Sequence, residues 1–324
     1  MRVRCEHSFI YGQAGARLHN APRRLPGLWV RVALLLAASL PSLARGPIGG
    51  RDADYQMAIT QAHKRYLPDS SGKIPETVPR VAKVSPQLYG VVLVRVDGKV
   101  WEAGDTRVPF ILSGVAAPFA TALLAGQGVT PPRNSLGPEG SLVTLALVTP
   151  QQDADAKWRA VLANLGAFAG RDLFLDDSVY RSANTAAAPV LEMARRLAAD
   201  GKLPDDAAAT ADLYVKQGVV TLTAYDLAVM AATVANDGKN PLNGRVVVKP
   251  EVSQALQALI GSEGLQKTGM ATVAGKAGGV IAVVPGRFGL AVYSPPLDAA
   301  GNSVRGQRAV KYLSQALMVG FSVN

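Results

Sequence analysis

The sequence contains very little cysteine and histidine. Among 324 residues there are one cysteine, Cys5, and three histidines, His7, His19 and His63. All but His63 lie in an N-terminal stretch that we expect to be removed. Disulfides, a cysteine nucleophile, multi-cysteine or multi-histidine metal sites and a Ser-His-Asp triad are therefore excluded or nearly so. We expect no cofactor and no metal, and we interpret His63, within the polar patch 61–65, as a solvated surface residue.

The N-terminal stretch has the composition of a secretory signal peptide. Several arginines precede the apolar run at residues 32–40, and Ser42-Leu43-Ala44 supplies a small-residue cleavage site. The run is well short of the ~18 residues that a membrane-spanning helix needs, which disfavours a permanent anchor. We predict that residues 1–44 are a signal peptide with a long basic leader, and that the protein is periplasmic or secreted.

Much of the positive charge belongs to this leader. Without residues 1–44 the 34 basic residues become 28 and the 24 acidic residues become 23, so the net charge falls from +10 to +5. The remaining basic residues are spread along the chain. The sequence therefore predicts no nucleic-acid partner, and no stable membrane span after cleavage of the signal.

Strand patterns at both ends of the chain enclose a helical middle. Residues 88–96 are rich in β-branched side chains, and Asp97-Gly98 is a strong hairpin turn; a second pair of strands flanks Pro285-Gly286. Alanine-rich helices occupy about 150–265. This order favours one antiparallel sheet formed from N- and C-terminal segments, flanked by helices, with an inserted all-α lobe and a ligand cleft between the two.

Capping residues and prolines mark the helix boundaries. Asp153 and Thr223 are predicted N-caps, and Pro189, Pro204 and Pro250 mark first turns. We also expect a helix within residues 45–84, followed by a polar linker, and a last helix over about 304–319.

Short motifs resemble those of the serine-dependent bacterial-type glutaminases, in family order from about residue 85 to the C-terminus. They are Asp97-Gly98-Lys99-Val100, Ala103-Gly104-Asp105, Pro109-Phe110, Val179-Tyr180-Arg181-Ser182, and residues 226–233, 240–244, 282–286, 294–298 and 301–306. The resemblance implies an α/β (α+β) fold like that of serine β-lactamases and DD-peptidases for residues 85–324, with the helical lobe at about 150–265. It also implies the family reaction, L-glutamine and water giving L-glutamate and ammonia.

The resemblance locates the catalytic positions at the start of the first core helix. Family enzymes carry a serine there and a lysine three residues later, which places hydroxyl and amine on one helix face. The flanking motifs align these two positions with Gly114 and Ala117. Ser113, the nearest substitute, is turned by ~100°. Pro118 predicts that the helix begins late and that Ala117 departs from helical geometry.

The resemblance also locates the positions that bind substrate. Ala183 and Val190 stand where family members have the glutamate and asparagine that hold the amino acid, and Gln266 stands where they have a tyrosine. Tyr214 and Lys276 retain the family residue. We therefore predict a degenerate member of the family, in which we assign no catalytic residue. A small amino-acid-like ligand and a homo-oligomer both remain possible partners.

The sequence is compatible with three functions. The first is an exported glutaminase-family protein that has lost catalysis and binds through the old cleft. The second is an amidohydrolase with a rearranged site, using Tyr214 or Lys276 with Ser113 or an activated water. The third is a periplasmic binding or cell-wall interaction module, because the wider fold includes penicillin-binding proteins. We favour the first, because the motifs that support the fold are retained, whereas small or apolar residues occupy the nucleophilic and charged positions.

Overall fold

The computed structural model describes residues 51–74, 84–149, 153–265 and 268–317. The predicted signal peptide, residues 1–44, and the predicted site residue Gln266 lie outside the described residues. Within the described part, no helix combines the length and the apolar character needed to cross a membrane.

The core of the fold is a five-stranded antiparallel sheet. Its strands are β1 (Gly90–Arg95), β2 (Val100–Gly104), β5 (Ala271–Ala274), β6 (Gly279–Val284) and β7 (Phe288–Tyr293). They lie in the order β2-β1-β7-β6-β5, so β1 from the first half of the chain pairs with β7 from the end. The predicted sheet built from both ends of the chain is confirmed. Strand β5 was not predicted.

Ten helices and a small second sheet complete the described part of the chain. The helices are α1 (Asp52–Tyr66), α2 (Ala117–Gly126), α3 (Pro138–Leu147), α4 (Ala154–Ala169), α5 (Asp177–Asn184), α6 (Ala188–Ala199), α7 (Ala207–Gly218), α8 (Ala224–Ala235), α9 (Pro250–Glu263) and α10 (Val304–Ala316). A 3-10 helix, Ser113–Ala116, precedes α2. Strands β3 (Phe110–Ile111) and β4 (Thr221–Leu222) pair antiparallel.

Both faces of the large sheet are covered, which explains why β1, β6 and β7 are buried throughout. Helix α8 lies across β7, β1 and β6 on one face, and α1 and α10 pack on the other. The contact of α8 with β7 requires glycine at position 289, because a Cβ there would lie 2.1 Å from the backbone nitrogen of Ala232. The helical insertion is thereby seated directly on the sheet.

Most of the predicted helix boundaries are confirmed. The Asp153 side chain accepts a hydrogen bond from the nitrogen of Ala156, and Thr223 forms a capping box that starts α8. Helix α7 begins later than Pro204 predicts, at Ala207, because the Asp206 side chain accepts from the nitrogen of Ala209 and fixes the first turn there. Helices α3 and α5 were not predicted.

The prediction that His63 is a solvated surface residue is wrong. Its ring stacks on Tyr89, with centroids 4.9 Å apart and planes 9° apart, and its Nε2 lies 3.1 Å from the Tyr89 carbonyl oxygen. His63 is four residues after the buried Ile59, so it lies on the face of α1 that packs onto the sheet. Gly104 makes room for it, since a Cβ there would lie 2.2 Å from Nε2.

Candidate functional site

The turn between β3 and α2 carries the predicted catalytic positions, and its backbone is strained. Ser113 has φ +53°, in the left-handed region that residues other than glycine rarely adopt. A hydrogen bond to a neighbouring segment fixes the backbone just before Ser113: the nitrogen of Leu112 donates to the carbonyl oxygen of Val220, at 3.0 Å. The strained residue immediately precedes Gly114.

Helix α2 begins after this turn, at Ala117, with Pro118 at its second position. This late start agrees with the prediction from the proline. Ala117 itself is helical, with φ −54° and ψ −45°, so the predicted departure from helical geometry is wrong. The preference of a residue before proline for extended backbone is only a bias, and burial of Val115, Ala116 and Phe119 in the core outweighs it here.

Gly114 has room for a side chain but supplies none. A Cβ at this position would lie 3.7 Å from the Ala274 carbonyl oxygen and 3.8 Å from Gly275 Cα, which are ordinary van der Waals distances. Ala117 is 3% exposed and offers only a methyl group. Neither position provides a nucleophile or a base.

The end of β5 and the end of α7 enclose this turn. A Cβ on Gly275 would lie 2.7 Å from Val115 Cγ2 and 3.0 Å from the Leu112 carbonyl oxygen, so strand and turn are in direct backbone contact. A Cβ on Gly218 would lie 3.9 Å from Ser113 Cα, which places the last turn of α7 beside the same residue. The structure therefore brings three elements together around position 114.

Apolar side chains form the wall beside this turn. We call this group the cleft cluster; its buried members are Ile111, Val179, Ala183, Val215, Val219 and Ala277. Ala183, the position predicted to correspond to the substrate-binding glutamate, is 6% exposed inside it. Ala277 directly follows the retained Lys276. At position 183 the chain therefore offers a ligand a methyl group and no charge.

Tyr214 and Val190 share a second apolar cluster, between α3, α6 and α7. Tyr214 lies one turn before Gly218, on the same face of α7, so it is close to the strained turn. Burial raises the pKa of the Tyr214 hydroxyl. The hydroxyl therefore stays protonated well above neutral pH and is a poor proton acceptor.

Lys276 lies on the surface, in the turn between β5 and β6. That turn is closed by hydrogen bonds from the nitrogen of Gly275 to Gly279 and from Gly278 to Gly275. The residue is exposed, and its aliphatic stem runs alongside Gly301, where a Cβ would lie 3.5 Å from Cγ. The structure thus places Lys276 outside the two apolar clusters that hold Ala183, Val190 and Tyr214.

One ion pair within the helical lobe, between the end of α4 and the start of α8, could not be predicted from the sequence. Arg171 donates from Nε and from one terminal nitrogen to the two carboxylate oxygens of Asp226, both at 2.7 Å. Burial alone would raise the pKa of Asp226, but hydrogen bonds from Arg171 and Thr223 hold it below its usual value. The capping box revealed Asp226 as an N-terminal residue of α8; nothing in the spacing indicated its arginine partner.

Known proteins resemble this chain over most of its length. A family model described as Glutaminase matches residues 72–130 and 124–321. Glutaminase 2 of Yersinia pestis is 32% identical over 294 residues, which cover 80% of this chain and 86% of that protein. The chain belongs to the glutaminase family. It is also 32% identical to Glutaminase 2 of Bradyrhizobium diazoefficiens, of which the alignment spans 46%. Hydrolysis of glutamine is the family's reaction.

Solved structures of glutaminases share the fold. A probable glutaminase, ybaS, superposes with a TM-score of 0.80 at 28% identity, covering 85% of this chain and 100% of that one. The Bacillus subtilis glutaminase YbgJ, solved as a covalent complex with 5-oxo-L-norleucine, gives a TM-score of 0.76 at 22% identity, with 82% and 99% covered. These matches confirm the predicted fold of the serine β-lactamase type for this member of the glutaminase family.

Proposed function

We propose that this glutaminase-family protein is exported and no longer hydrolyses glutamine, and that it binds a small amino-acid-like ligand or a partner through the remains of the cleft. The observation that carries the proposal is the side chains at the start of α2. Gly114 and Ala117 stand at the positions that the family motifs assign to the nucleophile and its base. Glycine and alanine can neither attack an amide nor accept a proton.

The size of the expected loss follows from the chemistry. Removing members of a nucleophile–base unit costs several decades in rate, and removing one costs nearly as much as removing all. Water could replace the nucleophile only with a base placed beside it. Tyr214 is a poor base because burial raises its pKa, and Lys276 is exposed, whereas a lysine that acts as a base is a buried one.

The surroundings of Ala183 support weak binding of glutamine as well. The ammonium group of an amino acid needs a carboxylate or several acceptors when it leaves water. Ala183 lies among the apolar side chains of the cleft cluster. Loss of one partner of a desolvated charge costs about 2–5 kcal/mol, so the affinity for glutamine is expected to fall by roughly 30-fold or more.

One observation favours a second candidate, an amidohydrolase with a rearranged site. Ser113 is held in a strained conformation next to Gly114, and strained residues cluster at active sites. In this alternative the Ser113 hydroxyl attacks the amide. It would need a base within about 3 Å, and the described hydrogen bonds assign none to it.

A hydrolysis assay and a covalent probe separate the two candidates. The full-length chain is incubated with L-glutamine and ammonia is measured by a coupled dehydrogenase assay; we expect no release above buffer. The double variant Gly114→Ser with Ala117→Lys is expected to restore little, because Ala183 and Val190 are unchanged. Robust wild-type hydrolysis that survives repurification would contradict the proposal.

The probe is 6-diazo-5-oxo-L-norleucine, the reagent with which YbgJ formed its covalent complex. Intact-protein mass spectrometry is expected to show no adduct on the wild-type chain. An adduct that peptide mapping places on Ser113 would establish the second candidate instead. Export is tested separately by N-terminal sequencing of the protein secreted by its host, which we expect to begin after Ala44.

A further inference from the structure

The outer layer formed by α1 and α10 carries most of the net charge that remains when residues 1–44 are set aside. Residues 55–69 and 304–317 hold five basic residues and one acidic residue, Asp69, a net charge of +4. The whole chain after residue 44, with 28 basic and 23 acidic residues, has a net charge of +5. The two stretches come from opposite ends of that part of the chain. The fold therefore gathers on one layer positive charge that the sequence keeps apart.

Side-chain contacts join the exposed sides of the two helices. The Tyr312 hydroxyl donates to Oε1 of Gln61 at 2.7 Å, and the rings of Tyr66 and Tyr312 lie edge to face with centroids 6.4 Å apart. The guanidinium of Arg65 lies over both rings, 5.8 Å from the centroid of Tyr66 and 5.5 Å from that of Tyr312. The two helices thus present one continuous surface, which we call the α1–α10 face.

Three cations of the α1–α10 face are exposed and form no ion pair within the part of the chain that the structure describes. They are Lys64, Arg65 and Lys311. Arg308 pairs with Asp69, so the only acidic side chain of the two stretches is already used. The C-terminal end of a helix favours cations, which accounts for Lys64 and Arg65. It does not account for Lys311, which lies in the interior of α10.

Apolar side chains are exposed among these cations. Met57 is 54% exposed and Leu67 is 45% exposed. Met57, Gln61 and Lys64 follow one another at i, i+4 and i+7, so they lie along one stripe of α1. Cations beside exposed apolar and tyrosine side chains are typical of helices that lie on a membrane surface. There the charges reach the lipid phosphates, and the apolar groups enter the boundary with the acyl chains.

We propose that the α1–α10 face binds the surface of a membrane that contains anionic lipids. Four exposed cations and one carboxylate give the face a net charge of +3, so two copies of it repel each other and a second copy of the chain is disfavoured. Helix α8 lies on the opposite face of the sheet, which directs the helical lobe away from the lipid. The proposal is independent of glutamine hydrolysis, because it involves none of the predicted catalytic positions.

Acetylation footprinting of the full-length chain shows which surface meets the lipid. The protein is acetylated alone and with vesicles of phosphatidylglycerol and phosphatidylcholine, and peptide mapping measures the modification of each lysine. Residues 1–44 contain no lysine, so the predicted leader does not contribute to this measurement. We expect Lys64 and Lys311 to react about five-fold more slowly with the anionic vesicles, because lipid phosphates hold their ammonium groups. Vesicles of phosphatidylcholine alone should have no effect.

Lys239 and Lys249 are the internal controls of the footprint. Both are exposed and form no ion pair within the described ranges. They lie in the loop 236–249, which packs against the turn between β1 and β2. The basic end of α1 lies at the opposite end of β1, where His63 contacts Tyr89. We expect the controls to react at the same rate with and without vesicles, and equal protection of all four lysines would contradict the proposal.

Two triple variants matched in charge provide the decisive comparison. The first removes three cations of the α1–α10 face: Lys64→Gln, Arg65→Gln and Lys311→Gln. The second removes three exposed cations of the distant loop: Lys239→Gln, Arg245→Gln and Lys249→Gln. In co-sedimentation with the anionic vesicles, we expect the first to bind on the order of 100-fold more weakly, about five-fold for each charge, and the second to bind like the wild type. The leader is the same in all three proteins, so its own affinity for lipid does not enter the comparison.

Met57→Gln tests the apolar part of the face without a change of charge. Glutamine is a good helix former, so α1 is preserved, and binding should weaken about three-fold, as expected when a half-exposed methionine no longer enters the lipid. Equal affinity of the two triple variants, or the absence of protection at Lys64 and Lys311, would overturn the proposal. Protection of these two lysines by a DNA fragment but not by vesicles would also overturn it, and would assign the face to a nucleic acid.

Discussion

The substitution Gly114→Ser tests whether the backbone requires glycine at this position or whether the position merely lacks a catalytic side chain. The backbone at Gly114 does not have a positive φ, and an added Cβ would meet its nearest neighbours, Ala274 and Gly275, at 3.7 and 3.8 Å. Replacing a glycine where the native conformation suits other residues reduces the freedom of the unfolded chain. We therefore expect a gain of about 0.5 kcal/mol in the free energy of unfolding, and a rise of about 1–2 °C in Tm.

The matched control is on the other side of the same contact. Gly275→Ser would place a Cβ 2.7 Å from Val115 Cγ2 and 3.0 Å from the carbonyl oxygen of Leu112. Backbone atoms must then move, at a cost of about 1–3 kcal/mol. Urea denaturation of both variants measures the difference. A loss of more than about 1 kcal/mol for Gly114→Ser would refute the reasoning, because it would mean that the turn requires glycine for structural reasons.

Two further substitutions test the ion pair of the helical lobe and the apolar character of the cleft cluster. Asp226→Asn removes the partner of the half-exposed Arg171 and is expected to cost about 2–3 kcal/mol, less than for a fully buried pair. Because the folded-state pKa of Asp226 is lowered, this stability is present above the unfolded pKa and is lost as the pH falls through the folded one; unfolding curves of both proteins should converge in acid. Ala183→Glu places a carboxyl group in the cleft cluster and should cost about 2–5 kcal/mol at neutral pH. That cost should shrink in acid, and an unchanged Tm would show that the residue faces water.

The parts of the fold that could be predicted are those with local chemical signals. Asp97-Gly98 marks the β1–β2 hairpin because only such residues adopt its turn readily, and Gly98 has φ +87°. The capping box at Thr223 placed the start of α8 correctly. Proline was a weaker guide, since the cap hydrogen bond of Asp206 decides where α7 begins, after Pro204.

The parts that could not be predicted depend on contacts between distant residues. Helix α5 is short and polar on most of its surface, and the left-handed backbone of Ser113 has no sequence signature. His63 appeared solvated because its sequence neighbours are polar, whereas Tyr89, 26 residues later, covers its ring.

We propose that this protein has kept a glutaminase fold without the family's catalytic chemistry at Gly114 and Ala117. Its most direct test is ammonia release from L-glutamine by the purified full-length wild-type chain, measured with a glutaminase of the family as the positive control. We predict a rate indistinguishable from that of buffer alone. Sustained release of ammonia in proportion to the amount of protein, retained after repurification, would contradict this proposal.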